Sequence, residues 1–141
     1  MTVPRTRFRH VSRAAVLAAM LALPAACAPP PPACPAGAGR PMLLAMLYFG
    51  RAAASDAVWA RFVDQIVVPA LPDGFTELDG DGAWLNPTTG TTGRERSTVL
   101  VVAIEDRPDR RAALERVRAA YRQAFHQQSV GLTLTQVCGD F

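Results

Sequence analysis

The chain has 141 residues, 15 basic and 12 acidic, and a formal net charge of +3. Every basic residue is arginine, which excludes chemistry built on a Schiff-base or P-loop lysine. Four of the arginines precede residue 27 and all the acidic residues follow it, so loss of the first 26 residues turns +3 into −1. Nucleic acid is therefore not an expected partner, because binding it needs a basic patch on the folded domain.

Arg5, Arg7, Arg9 and Arg13 precede an apolar run over residues 14–23, and Leu23-Pro24-Ala25-Ala26 leads into Cys27. A basic head, a short apolar stretch and small residues before a cleavage point form an export signal. The run is about ten residues, too short to span a bilayer, which needs roughly 20. The expectation is a signal peptide over 1–26, export to the bacterial cell envelope, and a membrane anchor through a lipid on Cys27. Lipoprotein signals usually carry Leu three residues before the cysteine, whereas Pro24 stands there. The rival cleavage site Ala26-Cys27-Ala28 is followed by Pro29, which blocks cutting, so lipidation of Cys27 is the reading adopted.

Three cysteines leave one over in an exported protein. The assignment is Cys27 as lipid acceptor and Cys34–Cys138 as a disulfide, with free thiols or a Cys27–Cys138 pair as the alternatives. Residues 27–41 are rich in proline and read as a polyproline-type tether. The folded domain is then 42–141.

Residues 42–51 form a continuous apolar run ended by Gly50, a buried strand. Ser55 caps a helix whose Val58, Trp59, Phe62, Val63 and Ile66 recur at helical spacing. Pro69 and Pro72 stop it near Val68, and Pro72-Asp73-Gly74 is a turn. Residues 75–79 suggest an edge strand, Gly80-Asp81-Gly82 turns it, and 83–85 continue the pairing as a short hairpin. Residues 86–93 are a loop, and 97–105 form a second buried strand. Asp106 and Pro108 open a helix with Leu114, Val117, Tyr121 and Phe125 as its apolar stripe. A last strand covers 130–138.

The order is βαββαβ, the ferredoxin-like α+β pattern: a four-stranded antiparallel sheet with two helices on one face. The first and third strands are apolar on both sides, as central strands should be. The face away from the helices is then too apolar for water, and the expected cover is a second copy in a homodimer, a ligand, or the 86–93 loop.

Candidate chemistry is sparse. His126 is the one histidine after the signal, so neither a metal site nor a catalytic triad is expected, and no cofactor is assigned. Asp79-Gly80-Asp81-Gly82 lacks the further ligands of a calcium loop. Arg94-Glu95-Arg96-Ser97 enters a central strand, and an Arg–Glu pair there could hold a carboxylate or phosphate, though a structural ion pair is the commoner use. Gln127-Gln128-Ser129 could cap backbone groups or touch a ligand, and Tyr48 and Trp84 could line a pocket.

Leu47-Tyr48-Phe49-Gly50, Trp59-x-x-Phe62 and Pro69-x-x-Pro72-Asp73-Gly74-Phe75-Thr76 resemble a family of small bacterial envelope proteins. Gly82-x-Trp84, Arg94-Glu95-x-Ser97, Tyr121-x-x-x-Phe125, Gln128-Ser129-Val130 and Val137-Cys138 fit it in the same order. The family is the one known as domain of unknown function 3574, and the likeness covers roughly 42–141. It implies no activity. Where such proteins often have Lys after the Ser, this chain has Thr98, which weakens a charge-based role there.

Two functional readings stand. One is a non-catalytic, envelope-tethered binding or assembly module. The other is a dimeric α+β barrel that binds a small molecule on its sheet face, with or without weak enzymatic activity, and with Tyr48, Trp84, Arg94, Glu95, Ser97 and Gln128 as candidate ligand contacts. An apolar cavity on that face with Arg94 or Glu95 turned inward favours the second, and a flat self-complementary face the first.

Overall fold

The computed structural model describes residues 33–140. The expected signal peptide, Cys27 and the first part of the expected tether lie outside the described residues. Strand β1 is Arg40–Gly50, β2 Thr76–Leu85, β3 Thr92–Ile104 and β4 Gly131–Gly139. They form one antiparallel sheet in the order β2-β3-β1-β4, with the two most apolar strands at its centre. Helix α1 is Asp56–Phe62, α2 Val68–Ala70 and α3 Pro108–Phe125. The βαββαβ order and the α+β arrangement match the expectation.

Strand alternation decides which side of the sheet is dry. Leu43, Ala45, Leu47 and Phe49 of β1 and Leu100, Val102 and Ile104 of β3 are buried in one core with Trp59, Phe62, Val67, Leu114, Val117 and Tyr121. An aromatic cluster centres it. The Phe49 ring lies 5.2 Å from Trp59 and 4.8 Å from Tyr121, both edge-on. Leu44, Met46 and Tyr48 face the other way, paired with Ala103, Val101 and Val99. Among the described residues the helical core contacts all lie on the first side.

Five local expectations are corrected. The first helical segment passes Val68: a π-helical turn over Val63–Val67 joins α1 to α2, and the chain leaves at Leu71. The Val68 N–H bonds to the Val63 carbonyl, five residues back, which resets the hydrogen-bond register just ahead of Pro69. Gly80-Asp81-Gly82 is not a turn but the middle of one continuous strand β2. Its hairpin with β3 turns instead over Asn86 and the four residues after it, closed by Asn86 N–H to Thr91 O and Gly90 N–H to Asn86 O, so Thr92 and Gly93 are already strand. Ser55 stands at the N-cap without a side-chain hydrogen bond, and Arg107, not Asp106, is the N-cap of α3. Asp106 is drawn instead to Arg111 at 2.5 Å and Gln136 at 2.9 Å.

Cys34 and Cys138 form a disulfide with Cα atoms 5.7 Å apart. It ties the chain ahead of β1 to the end of β4, the strand that runs beside it.

Candidate functional site

The sheet is not equally long on all sides. Gly50, the last residue of β1, pairs with Ser97, yet β3 begins five residues earlier at Thr92. The β2–β3 hairpin therefore extends past the end of β1 as a two-stranded arm. The loops after β1 and before β4 stand beside that arm. Between them runs a trough of about 620 Å³, within the usual range of roughly 300–1,000 Å³ for small-molecule sites.

Alternation puts Tyr48, Gly50, Gly80, Gly82, Trp84, Gly93, Glu95, Ser97, Val99 and Gly131 on the uncovered face. Glycine here has a specific use. Tyr48 pairs with Gly131, where a Cβ would lie 3.1 Å from the tyrosine ring. Trp84 pairs with Gly93, where a Cβ would lie 3.2 Å from the indole nitrogen. At Gly50 a Cβ would run into the Glu95 carboxylate. Three large side chains thus lie down onto glycines rather than stand up from the sheet. The floor between them, Ser97 over Gly80 and Gly82, is left low. Tyr48 is level with Val99 and Trp84 with Gly93, so six residues of β3 separate the two aromatics, about 20 Å along the strand.

Glu95 has a fixed place. Its Oε2 accepts the Ala52 N–H at 2.9 Å, which turns the carboxylate over the end of β1. Beneath it, the Tyr121 hydroxyl donates to the Gly50 carbonyl at 2.7 Å. Burial pushes the Tyr121 phenol up to about 12; the Arg51 charge lowers it and the Glu95 charge raises it. The far wall is the loop from α3 to β4. His126 ends α3 in the left-handed region at φ 51°, and its N–H bonds to Arg122 O. Arg118 donates to the Val130 carbonyl at 3.0 and 2.7 Å and so holds the loop's exit.

All six candidate contacts, Tyr48, Trp84, Arg94, Glu95, Ser97 and Gln128, border this trough. Two of them do not pair with each other, and the structural ion pair at the strand start forms elsewhere in the cluster. Arg94 and Glu95 are neighbours on a strand and face opposite sides, and among the described residues no ion pair joins them. The ion pair at the start of β3 is Arg96 with Asp56, at 3.1 Å. The 127–129 segment caps through a backbone group, Gln127 N–H to Arg122 O at 3.1 Å.

A second polar group was not foreseen. Arg51 has a side chain only 3 % exposed. It donates to Thr98 Oγ1 at 3.1 Å and Asp56 Oδ1 at 2.7 Å, and lies 5.0 Å over the Trp59 ring. Thr98 passes the network on to Asp79 at 3.1 Å. The arginines beside Asp56 hold its carboxyl below the usual carboxylate range, the Arg51 hydrogen bond first. Thr98 thus serves Arg51 on the covered side rather than the trough. The arginine directly after a glycine that ends a buried strand was the available signal. Among the described residues no cluster of His, Cys, Asp and Glu is placed to hold a metal, and no helix is long and apolar enough to cross a membrane.

Fold and trough define a small α+β domain with a half-open pocket on the uncovered face of its sheet. The chain belongs to the family of proteins of unknown function DUF3574, whose model matches residues 45–141. No curated protein matches it. Among solved structures, it is similar to a phage SAM lyase in complex with S-methyl-5′-thioadenosine, with a TM-score of 0.54 and 12 % identity over 71 % of this chain and 92 % of that one. A phage SAM lyase in the apo state gives a TM-score of 0.49 at 14 % identity, over 79 % and 98 % of the two chains. At these identities the likeness concerns the fold.

Proposed function

We propose that this domain binds a small organic molecule in the trough between Tyr48 and Trp84. The observation that carries it is the set of three glycines, Gly50, Gly93 and Gly131, that seat Glu95, Trp84 and Tyr48 flat around a low floor. A flat face built only to meet another copy would have no need of such a hollow. Aromatic walls with a few convergent polar groups are the usual make-up of a ligand pocket. The test is a thermal-shift screen of the purified chain against metabolites, with S-methyl-5′-thioadenosine included because a similarly folded protein is described with it. A hit whose affinity falls at least about tenfold in Trp84→Ala and in Tyr48→Ala supports the site. Hits indifferent to both substitutions refute it.

A homodimer through the same face remains part of this proposal. Tyr48, Leu78 and Trp84 are 39 %, 49 % and 40 % exposed on it, a large apolar area to leave wet. Sedimentation across a concentration series decides this, and a monomer throughout counts against it. Export, and a lipid on Cys27 that tethers the domain to a membrane, rest on the sequence pattern of residues 1–27. Mass spectrometry of the mature N-terminus checks both, and an unmodified Cys27 sinks the tether.

A further inference from the structure

We infer that the ligand of the trough is an organic cation and that Glu95 is its counter-charge. This rests on the small-molecule reading above and names the charge that reading leaves open. The uncovered face carries very little charge. On β1 it presents Leu44, Met46, Tyr48 and Gly50, on β2 Thr76, Leu78, Gly80, Gly82 and Trp84, and on β4 Gly131, Thr133 and Thr135. At its far end Arg40 and Glu105 neutralise each other at 3.6 Å. In the trough, Glu95 is the charged side chain that alternation places over the floor.

Two nearby positive charges are committed elsewhere. Arg51 is spent on Thr98 and Asp56, and Arg96 on Asp56, all on the covered side. Arg94 also borders the trough, but from the opposite face of β3. Among the described residues no cation pairs with Glu95, and its hydrogen-bond donor is the neutral Ala52 N–H. Of the other carboxylates around this end of the sheet, Asp56 and Asp79 are answered by Arg51 and Glu77 by the Trp59 indole N–H at 2.7 Å, while Asp81 lies on the opposite face of β2. A half-buried carboxylate against aromatic walls attracts a cation more strongly than it would in open water. Tyr48 and Trp84 add ring faces, which attract cations and repel anions. Glu95 is also pre-positioned, because the Ala52 N–H fixes its rotamer before any ligand arrives.

Three indoles of matched shape separate the possibilities: tryptamine as the cation, tryptophol as the neutral form and indole-3-acetate as the anion. Binding is read on the purified chain by calorimetry and by backbone-amide NMR shifts at Trp84, Glu95 and Ser97. The expected order is tryptamine first, tryptophol about tenfold weaker and indole-3-acetate weaker still. Glu95→Gln should bring tryptamine down to the level of tryptophol and leave tryptophol unchanged. Glutamine keeps an oxygen for the Ala52 N–H, so an unchanged melting temperature shows that the fold is intact. Equal binding of the three, a preference for the anion, or a tryptamine preference that survives Glu95→Gln overturns the inference and leaves a pocket of different charge preference. Absence of shifts at the trough amides with all three refutes the pocket itself, and the inference with it.

Discussion

The two faces of the sheet are built from the same strands and answer to different rules. On the helix-covered face large side chains stand up and interlock: Phe49 meets Trp59, Phe62 and Tyr121 within 6.4 Å. On the uncovered face large side chains lie down, each on a glycine of a neighbouring strand. Charge follows the same division. The covered side answers Asp56 and Asp79 with arginine, while the trough leaves Glu95 with a backbone N–H. One side spends its residues on packing. The other keeps space that packing would have filled.

If that division holds, damage to the covered face should be paid mainly in stability. Phe49→Ala should cost about 3–5 kcal/mol, because the cavity it leaves is walled by three aromatic rings and cannot easily collapse. Urea denaturation checks it, and a loss below about 1 kcal/mol would mean that the aromatic cluster is not the core. Next in size is the disulfide. The residues it joins are 104 apart in sequence, and closing so long a loop is worth at most about 4.7 kcal/mol in the chain-entropy model and more often about 2–4. Cys34→Ser with Cys138→Ser should lower the denaturation midpoint by that amount while ligand binding at the trough is retained, since the bridge lies at the opposite end of β1.

How much of this was legible in the chain depends on which face is considered. The covered face was readable because hydrophobic periodicity reports burial directly. Leu43, Leu47 and Phe49 alternate along β1, and Leu114, Val117 and Tyr121 recur along α3. In sequence the uncovered face is a set of residues without an arrangement. In sequence glycine reads as punctuation, so Gly80-Asp81-Gly82 reads as a turn, although in the strand these glycines clear the trough floor. Nothing local tells a glycine that turns the chain from one that makes room for a cross-strand neighbour. That depends on register, which a three-dimensional pairing sets. The same blindness hid Arg51: its partners Asp56, Thr98 and Asp79 come from three separate elements.

A smaller effect is expected where the two faces meet. Tyr121 belongs to the core, yet its hydroxyl reaches Gly50 beneath Glu95. Its phenol titrates at about 12 when folded, above the ordinary value of 10.0. A raised folded value means that the native state favours the neutral form. The associated stability is complete below pH 10 and is lost as the pH climbs through 12. The loss should reach about 3 kcal/mol, two pKa units at roughly 1.4 kcal/mol each. Alkaline stability curves for the native chain and Tyr121→Phe test this. The phenylalanine form should begin about 1 kcal/mol lower for want of the hydrogen bond and should lack the step contributed by Tyr121. Matching slopes between pH 10 and 12 would show that the tyrosine is wet, and the boundary between the faces would be looser than drawn.

The smallest stability effect should fall on the uncovered face, and there it carries the most information. Trp84 sits near the outer end of the β2–β3 arm, 40 % exposed, with Gly93 beneath it. A core tryptophan cut to alanine costs about 3–5 kcal/mol. Trp84→Ala should cost less than about 1, because its ring leaves solvent and one glycine rather than a packed interior. Gly93→Ala offers the converse change. Its new methyl meets the indole at 3.2 Å and must tilt the ring up from the sheet. The two substitutions move volume in opposite senses at one place, so a trough shaped for a ligand should lose affinity with both while the melting temperature hardly changes. A stability loss for Trp84→Ala close to that of Phe49→Ala would instead place the indole in a packed interface and make the uncovered face a second core, completed by another molecule.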